Sequence, residues 1–175
     1  GLQLRRHAPA DAAGIALGQA GAKRAAGVTL FLVDKRTPGV SLTPIEVTNG
    51  DSTSQVFYDN VEVDADAVLG EVDRGFYGIL PVLNYERIGT AAMCLSWGQG
   101  ALDEAISYAR ERRAFGQQIS KFQAIQAKIA DISAQIEAAR LLTYRAALEK
   151  DRGESFTLTA AQAKLITGRL AVRAT

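Results

Sequence analysis

Residues 75–113 read GFYGILPVLNYERIGTAAMCLSWGQGALDEAISYARERR, nearly forty positions whose reading decides the fold. Pro81 falls in the opening turns, where a missing N–H costs little, and no later residue breaks the helical pattern. The spacing predicts one very long helix. Its middle carries Gly89, Ala91, Ala92, Ser96, Gly98, Gly100 and Ala101, small side chains that lower helix propensity but let another backbone or a ligand approach closely. Tight packing is expected there, with Cys94 and Trp97 as packing residues, because a lone cysteine without a base partner behaves as a small hydrophobe. Gly116, just past the basic end, is expected to close the helix in the left-handed conformation that glycine adopts most easily.

Downstream, Ile125, Ile129, Ile132, Ile136, Ala139 and Leu142 recur by alternating fours and threes, giving the single apolar stripe of an antiparallel bundle helix. That helix is expected to stop around Asp151-Arg152-Gly153. A third should open on a capping box of Thr159 and Gln162. The chain ends inside that helix, at Thr175, so the natural protein is expected to continue. Upstream the period changes. GVTLFLVDK (27–35) is an apolar run rich in β-formers, read as a buried strand bounded by Gly27 and the Thr37-Pro38-Gly39 turn signal. VSLTPIEVT (40–48) alternates, with Pro44 marking an edge or a bulge. Asn49-Gly50-Asp51 signals a tight turn, and SQVFYDNVEVD (54–64) gives two short strands around Asp59-Asn60. Together these predict a β-meander of three or four strands. Residues 1–26, rich in Ala, Gly and Arg, show no sustained period and are read as a poorly specified segment. The expected organisation is 1–26 unspecified, 27–70 a partial β-domain and 71–175 the start of a helical domain. The fold class is α+β, a partial antiparallel β-domain followed by an antiparallel helical bundle, truncated at both ends.

Composition narrows the function classes. With 20 basic and 19 acidic side chains in 175 residues, no strong field exists to gather nucleic acid or anionic lipid, so neither is an expected partner. A small anionic ligand would need a local site. One cysteine cannot form an internal disulfide, which fits a reducing compartment. No run of about 18 apolar residues appears, and the first residues lack the order of a signal peptide. His7, the only histidine, has no partners at metal-ligand spacing, so no metal site is expected. No Gly-x-Gly-x-x-Gly follows a strand and no Walker-type loop occurs, which removes the usual support for nicotinamide or ATP binding.

Two constellations could carry chemistry. Arg112-Arg113-Ala114-Phe115-Gly116 is either a solvated charge cluster with a helix cap or a phosphate site. In the second case a guanidinium donates two parallel hydrogen bonds to phosphate oxygens and Phe115 fixes the turn. Glu86 and Arg87 lie between Leu83 and Ile88, and adjacent helical side chains point about 100° apart, so the two need not pair. They are either solvated or facing a cleft, where a carboxylate held against apolar surface becomes a usable acceptor for carbon-acid chemistry.

Read in order, TLFLVDKRTPGV (29–40), FYDNVEVDADAVLGEVDRGFYGILPVLNYERIGTAA (57–92) and RRAFGQQISKFQAIQAKIADI (112–132) resemble the acyl-CoA dehydrogenase family from Gly27 to about Leu170. Most specific is Arg112-x-x-Phe115-Gly116 followed by Phe122-Gln123-Ala124-Ile125-Gln126 and Ala130-Asp131. Next comes Phe57-Tyr58-Asp59-Asn60-Val61 with Leu69-Gly70-Glu71. The resemblance implies a flavoprotein oxidoreductase with FAD between subunits. It would convert an acyl-CoA thioester to a 2,3-enoyl-CoA in fatty acid or branched-chain amino acid catabolism and pass electrons to an electron-transferring flavoprotein. By similarity Arg112 contacts the FAD pyrophosphate, Phe115 shapes the turn, Gln123 bonds to the cofactor, and the loop reaches a neighbouring subunit's flavin.

Asn84, Tyr85, Glu86 and Arg87 match the stretch lining the acyl-CoA pocket, with Asn84 as the substrate-contacting polar group. Most members take the catalytic base from a later helix. The isovaleryl-CoA and long-chain types use a glutamate at the position of Glu86, which makes Glu86 the expected base here. The resemblance also implies a homodimer or homotetramer, in a bacterial cytoplasm or a mitochondrial matrix. Residues 1–26 do not resemble the family's flavin-contacting strand, and Ala114 stands where some members place a hydroxyl. The isolated chain is therefore expected to turn over nothing. Rivals are an acyl-CoA oxidase, another flavin enzyme of this fold such as a nitroalkane oxidase, or a non-catalytic helical interaction module or remnant.

Overall fold

The computed structural model describes residues 3–4, 12–18, 27–48 and 53–175; His7 and the Asn49-Gly50-Asp51 turn signal lie outside the described residues. The strands are β1 (Gln3–Leu4), β2 (Ala12–Gly18), β3 (Val28–Asp34), β4 (Val40–Ile45), β5 (Thr53–Tyr58), β6 (Glu62–Val63) and β7 (Val68–Leu69). The helical part holds α1 (Gly75–Glu111), the short strands β8 (Arg113–Ala114) and β9 (Gln117–Gln118), α2 (Gln123–Asp151) and α3 (Thr157–Ala174). The α+β class stands. The chain divides into two compact units, 1–80 and 81–175, so the division falls inside α1 rather than near Gly70.

In the first unit β3 is central, paired antiparallel to β2 along its whole length and to β7 through Leu30–Leu69 and Phe31–Val68. It is buried on one face only. Phe31 and Val33 join Val61 and Val63 in the core while Leu32, pointing the other way, is 48% exposed, as the period of two requires. The expected meander does not form. β4 and β5 make their own antiparallel hairpin, and β1 pairs parallel with β6, because β7 takes one edge of β3 and β2 the other. Pro44 sits in that two-stranded hairpin opposite Ser54, where neither strand is central and a missing donor is tolerated. Within 1–26, where the sequence shows no sustained period, AAGIALG at 12–18 forms a strand. It lacks β-branched alternation and is specified by the free edge of β3, a case of pairing overriding propensity.

The start of α1 belongs to this β-unit. A Cβ on Gly75 would stand 2.7 Å from Leu30 Cγ and 2.8 Å from the Leu30 nitrogen, so only glycine lets the helix begin directly on β3. The Asp73 N–H donates to Thr29 Oγ1 at 2.9 Å and holds the same joint.

In the second unit the helices pack around Leu95, Leu102, Ile136, Ala139 and Leu170, with Ile106, Ile129 and Ile132 against them. α2 therefore uses the stripe read from its sequence. Cross-links set the antiparallel order: the Arg140 guanidinium donates to Gln99 Oε1 at 2.8 Å between α1 and α2, and Arg173 pairs with Asp131 between α3 and α2. The small residues of α1 split into two groups. Ala91 is fully buried and Gly98 lies under Leu170, whose Cγ would be 3.7 Å from an added Cβ, whereas Gly89 and Gly100 face open space. Cys94 is buried. Trp97, expected to pack, is instead 57% exposed, because it lies on the side of α1 turned away from α2 and α3.

The expected capping box is not made. α3 starts at Thr157 with Phe156 at the cap and no side-chain cap bond. Thr159 is buried instead, beside Glu149 of α2. The Glu149 carboxyl is held below its ordinary value first by the neighbouring Thr159 hydroxyl and then by Arg145, against its own burial; Arg145 Nε lies 2.7 Å from Oε1. A depressed pKa means that this contribution is complete above the ordinary value of 4.5 and fades as pH falls through the folded value. Glu149→Gln is therefore expected to melt at lower temperature than the parent at about pH 7, and the gap to narrow as pH falls below the ordinary value of 4.5. A gap of constant size in the two melts would assign Glu149 no such role.

Candidate functional site

α1 ends at Glu111 because the next residues turn back on it. The Arg112 N–H still reaches the Tyr108 carbonyl at 2.8 Å, but the Arg112 carbonyl accepts from Ile119 at 2.9 Å. Between them β8 and β9 pair as Arg113–Gln118 and Ala114–Gln117, leaving Phe115-Gly116 as a two-residue turn. Both turn residues have positive φ, 51° and 81°, the primed-turn pattern that matches strand twist. Gly116 is thus a hairpin residue and not the expected helix cap. The Gln118 amide donates to the Arg110 carbonyl at 2.6 Å, and Arg113 Nη2 donates to the Gly116 carbonyl at 3.2 Å. The hairpin is tied down at both ends.

Its tip runs against local preference. A bulky residue with positive φ costs about 1–2 kcal/mol, and the Phe115 ring is 96% exposed, so its burial stabilises nothing within the chain. Its one aromatic contact is edge-on to Phe122, with centroids 6.2 Å apart. Arg112 is exposed and, among the described residues, its guanidinium has no ion pair or hydrogen bond. The same holds for the Gln123 amide at the first position of α2. Arg112 and Phe115 thus lie in or beside the hairpin, and Gln123 at the helix start that follows it. Sequence reasoning missed Gln118 and the positive φ of Phe115, since phenylalanine carries no turn signal and a glutamine's partner eight residues back has none either.

The second group lies near the start of the helical unit. Asn84 is engaged at both ends of its amide: Nδ2 donates to Thr157 Oγ1 at 2.9 Å, and Oδ1 accepts from Arg87 Nη1. Tyr85 leans on Phe156, with ring centroids 5.6 Å apart, and Lys150 Nζ sits 5.6 Å above its ring. Glu86, about 100° further round the helix, is exposed and has no ion pair or hydrogen bond among the described residues. Of the two alternatives it takes the solvated one: it is not held against apolar surface, nor paired with Arg87, whose guanidinium goes to Asn84. Along α1 Glu86 stands roughly 37 Å from the end of the helix, at 1.5 Å per residue.

Comparison with known proteins bears on both groups. The family described as acyl-CoA dehydrogenase, C-terminal domain, matches residues 73–175. The short-chain specific acyl-CoA dehydrogenase of Megasphaera elsdenii is 40% identical over 152 residues, covering 85% of this chain and 40% of that protein. The caffeyl-CoA reductase-Etf complex subunit CarC of Acetobacterium woodii is 40% identical over 147 residues, 82% of this chain and 39% of the relative. The solved butyryl-CoA dehydrogenase of Megasphaera elsdenii superposes with a TM-score of 0.85 at 34% identity, over 93% of this chain and 43% of that one. The chain thus spans about 40% of the length of the curated relatives it matches.

Proposed function

Because this chain belongs to the acyl-CoA dehydrogenase family, we propose that it forms part of an FAD-dependent enzyme that removes two hydrogens from an acyl-CoA thioester, giving a 2,3-enoyl-CoA. The observation that carries this reading is the hairpin at 112–118, which presents an unpartnered guanidinium and a bare aromatic ring on a rigid support. Those groups suit a dinucleotide. Arg112 would grip the pyrophosphate by two parallel charge-assisted bonds, Phe115 would cover apolar ring surface, and the Gln123 amide would donate to the cofactor. When bound, FAD supplies the acceptor for the hydride that leaves Cβ of the substrate.

The chain's own part in the chemistry is to place the thioester and take the α-proton. Tyr85, Glu86 and Arg87 line the acyl-CoA pocket in this reading. Asn84 joins them only if a substrate shares or displaces one of its two existing bonds. The free Glu86 carboxylate accepts the α-proton. Hairpin and pocket stand roughly 37 Å apart along α1, so a cofactor touched by both is shared between two copies, which supports a homodimer or homotetramer. Electrons would pass to an electron-transferring flavoprotein, a partnership supported by the name of the Acetobacterium relative. The same relative favours one further reading, in which the reaction runs as reduction of the enoyl-CoA. A bacterial cytoplasm or a mitochondrial matrix suits both directions. Among the described residues no helix is long and apolar enough to cross a membrane.

Three measurements on the purified full-length protein test the proposal: flavin absorbance, anaerobic bleaching by short-chain acyl-CoA thioesters, and formation of the enoyl-CoA. Protein without bound flavin would favour a non-catalytic helical module. Bleaching restored by oxygen alone would favour an oxidase. The 175-residue chain alone is expected to bind FAD weakly and to give no turnover, which a flavin reduction assay checks. Phe115→Asn separates fold from function, since asparagine suits the turn. It is expected to raise stability by about 1 kcal/mol and to weaken FAD binding about tenfold, read by thermal melt and flavin titration.

A further inference from the structure

We propose that Gln118 is a positioning residue for Arg112, its side-chain amide setting the direction in which the guanidinium leaves the end of α1. The inference rests on the reading of Arg112 as the pyrophosphate contact. Gln118 occupies the cap position of the 3-10 turn Ile119–Lys121, yet its side chain makes no capping bond there. It reaches back instead to the Arg110 carbonyl at 2.6 Å, one of the last-turn carbonyls that a helix leaves without an intrahelical partner. Three bonds therefore hold the backbone around Arg112: the Arg112 N–H on Tyr108 and Ile119 on the Arg112 carbonyl fix its two flanking peptides, and Gln118 on the Arg110 carbonyl fixes the peptide one residue before them. Two of these are backbone bonds that any side chain permits. The third comes from a side chain and is the one a substitution removes. With its backbone pinned on both sides and its guanidinium free, Arg112 is pre-organised for a planar two-bond grip, which tolerates little angular error.

A hydrogen-bond donor is required at position 118, because the partner is a carbonyl. Gln118→Leu removes the donor at similar size, and Gln118→Glu places an acceptor against an acceptor. Both are expected to weaken FAD affinity of the full-length protein about five- to tenfold, the effect of one lost hydrogen bond. Amide exchange in the cofactor-free protein should quicken at Arg112 and Ile119 and not in α3. The deciding measurement is the double substitution. Arg112→Lys offers a flexible point charge in place of a planar fork, so in that background Gln118→Leu should cost less than twofold. An equal loss with arginine and with lysine at 112 would overturn the proposal, as would unchanged FAD affinity in Gln118→Leu beside a weakened Arg112→Lys. Unchanged affinity in Arg112→Lys and Arg112→Ala would instead remove the pyrophosphate reading itself, and this inference with it.

Discussion

Glu86→Gln is expected to slow anaerobic flavin reduction by acyl-CoA by about 10²- to 10⁴-fold, the usual contribution of a positioned general base, while the protein still holds its FAD. The amide has nearly the same size and keeps the exposed position but cannot accept the α-proton. Because Glu86 makes no ion pair or hydrogen bond among the described residues, its replacement leaves no buried partner unsatisfied, so a change in melting temperature is not expected. Stopped-flow reduction at saturating substrate isolates the chemical step from binding. Reduction at the parent's speed would place the base on another residue and leave Glu86 a pocket-lining group.

Arg112→Ala is expected to lower FAD affinity by about 10²- to 10³-fold, since two charge-assisted hydrogen bonds at about 1.5 kcal/mol or more each are lost together. Arg112→Lys should recover only part of this, because an ammonium satisfies the charge but not the two-pronged geometry. The loss should also shrink as salt is raised, since screening already weakens the parent's contact at an exposed site. Neither variant should alter the fold, because the guanidinium makes no ion pair or hydrogen bond among the described residues. Flavin retention on gel filtration and titration of the cofactor-free protein give the measurement, and equal affinity of parent and Arg112→Ala would end the pyrophosphate assignment.

Much of this protein is legible in the linear chain where the signal is local and repeated. The period of α2 put Ile129, Ile132, Ile136 and Ala139 on the face that does meet the core. The unbroken run from Gly75 made α1 one helix to Glu111, because helix formation depends on neighbours three and four residues away. The order of the family-like segments, with Arg112, Phe115, Gly116 and Gln123 at fixed spacing, was enough to point to a cofactor loop.

What only the tertiary structure decided are the pairings between distant or unlikely partners. Residues 12–18 become a strand because β3 has a free edge, not because AAGIALG favours one. Trp97 stays exposed because the two packing partners of α1 lie on its other sides. Thr159 is buried rather than capping its own helix, and Asn84 binds Thr157 seventy-three residues away. The shape of the 113–118 hairpin belongs here too. Phe115 takes a positive φ because a two-residue connection between paired strands demands it, and Gln118 holds the helix end because folding brings an unpaired carbonyl within its reach. Local periodicity records which residues face inward; the choice of partner depends on contacts that chain order does not encode until the backbone has closed on itself.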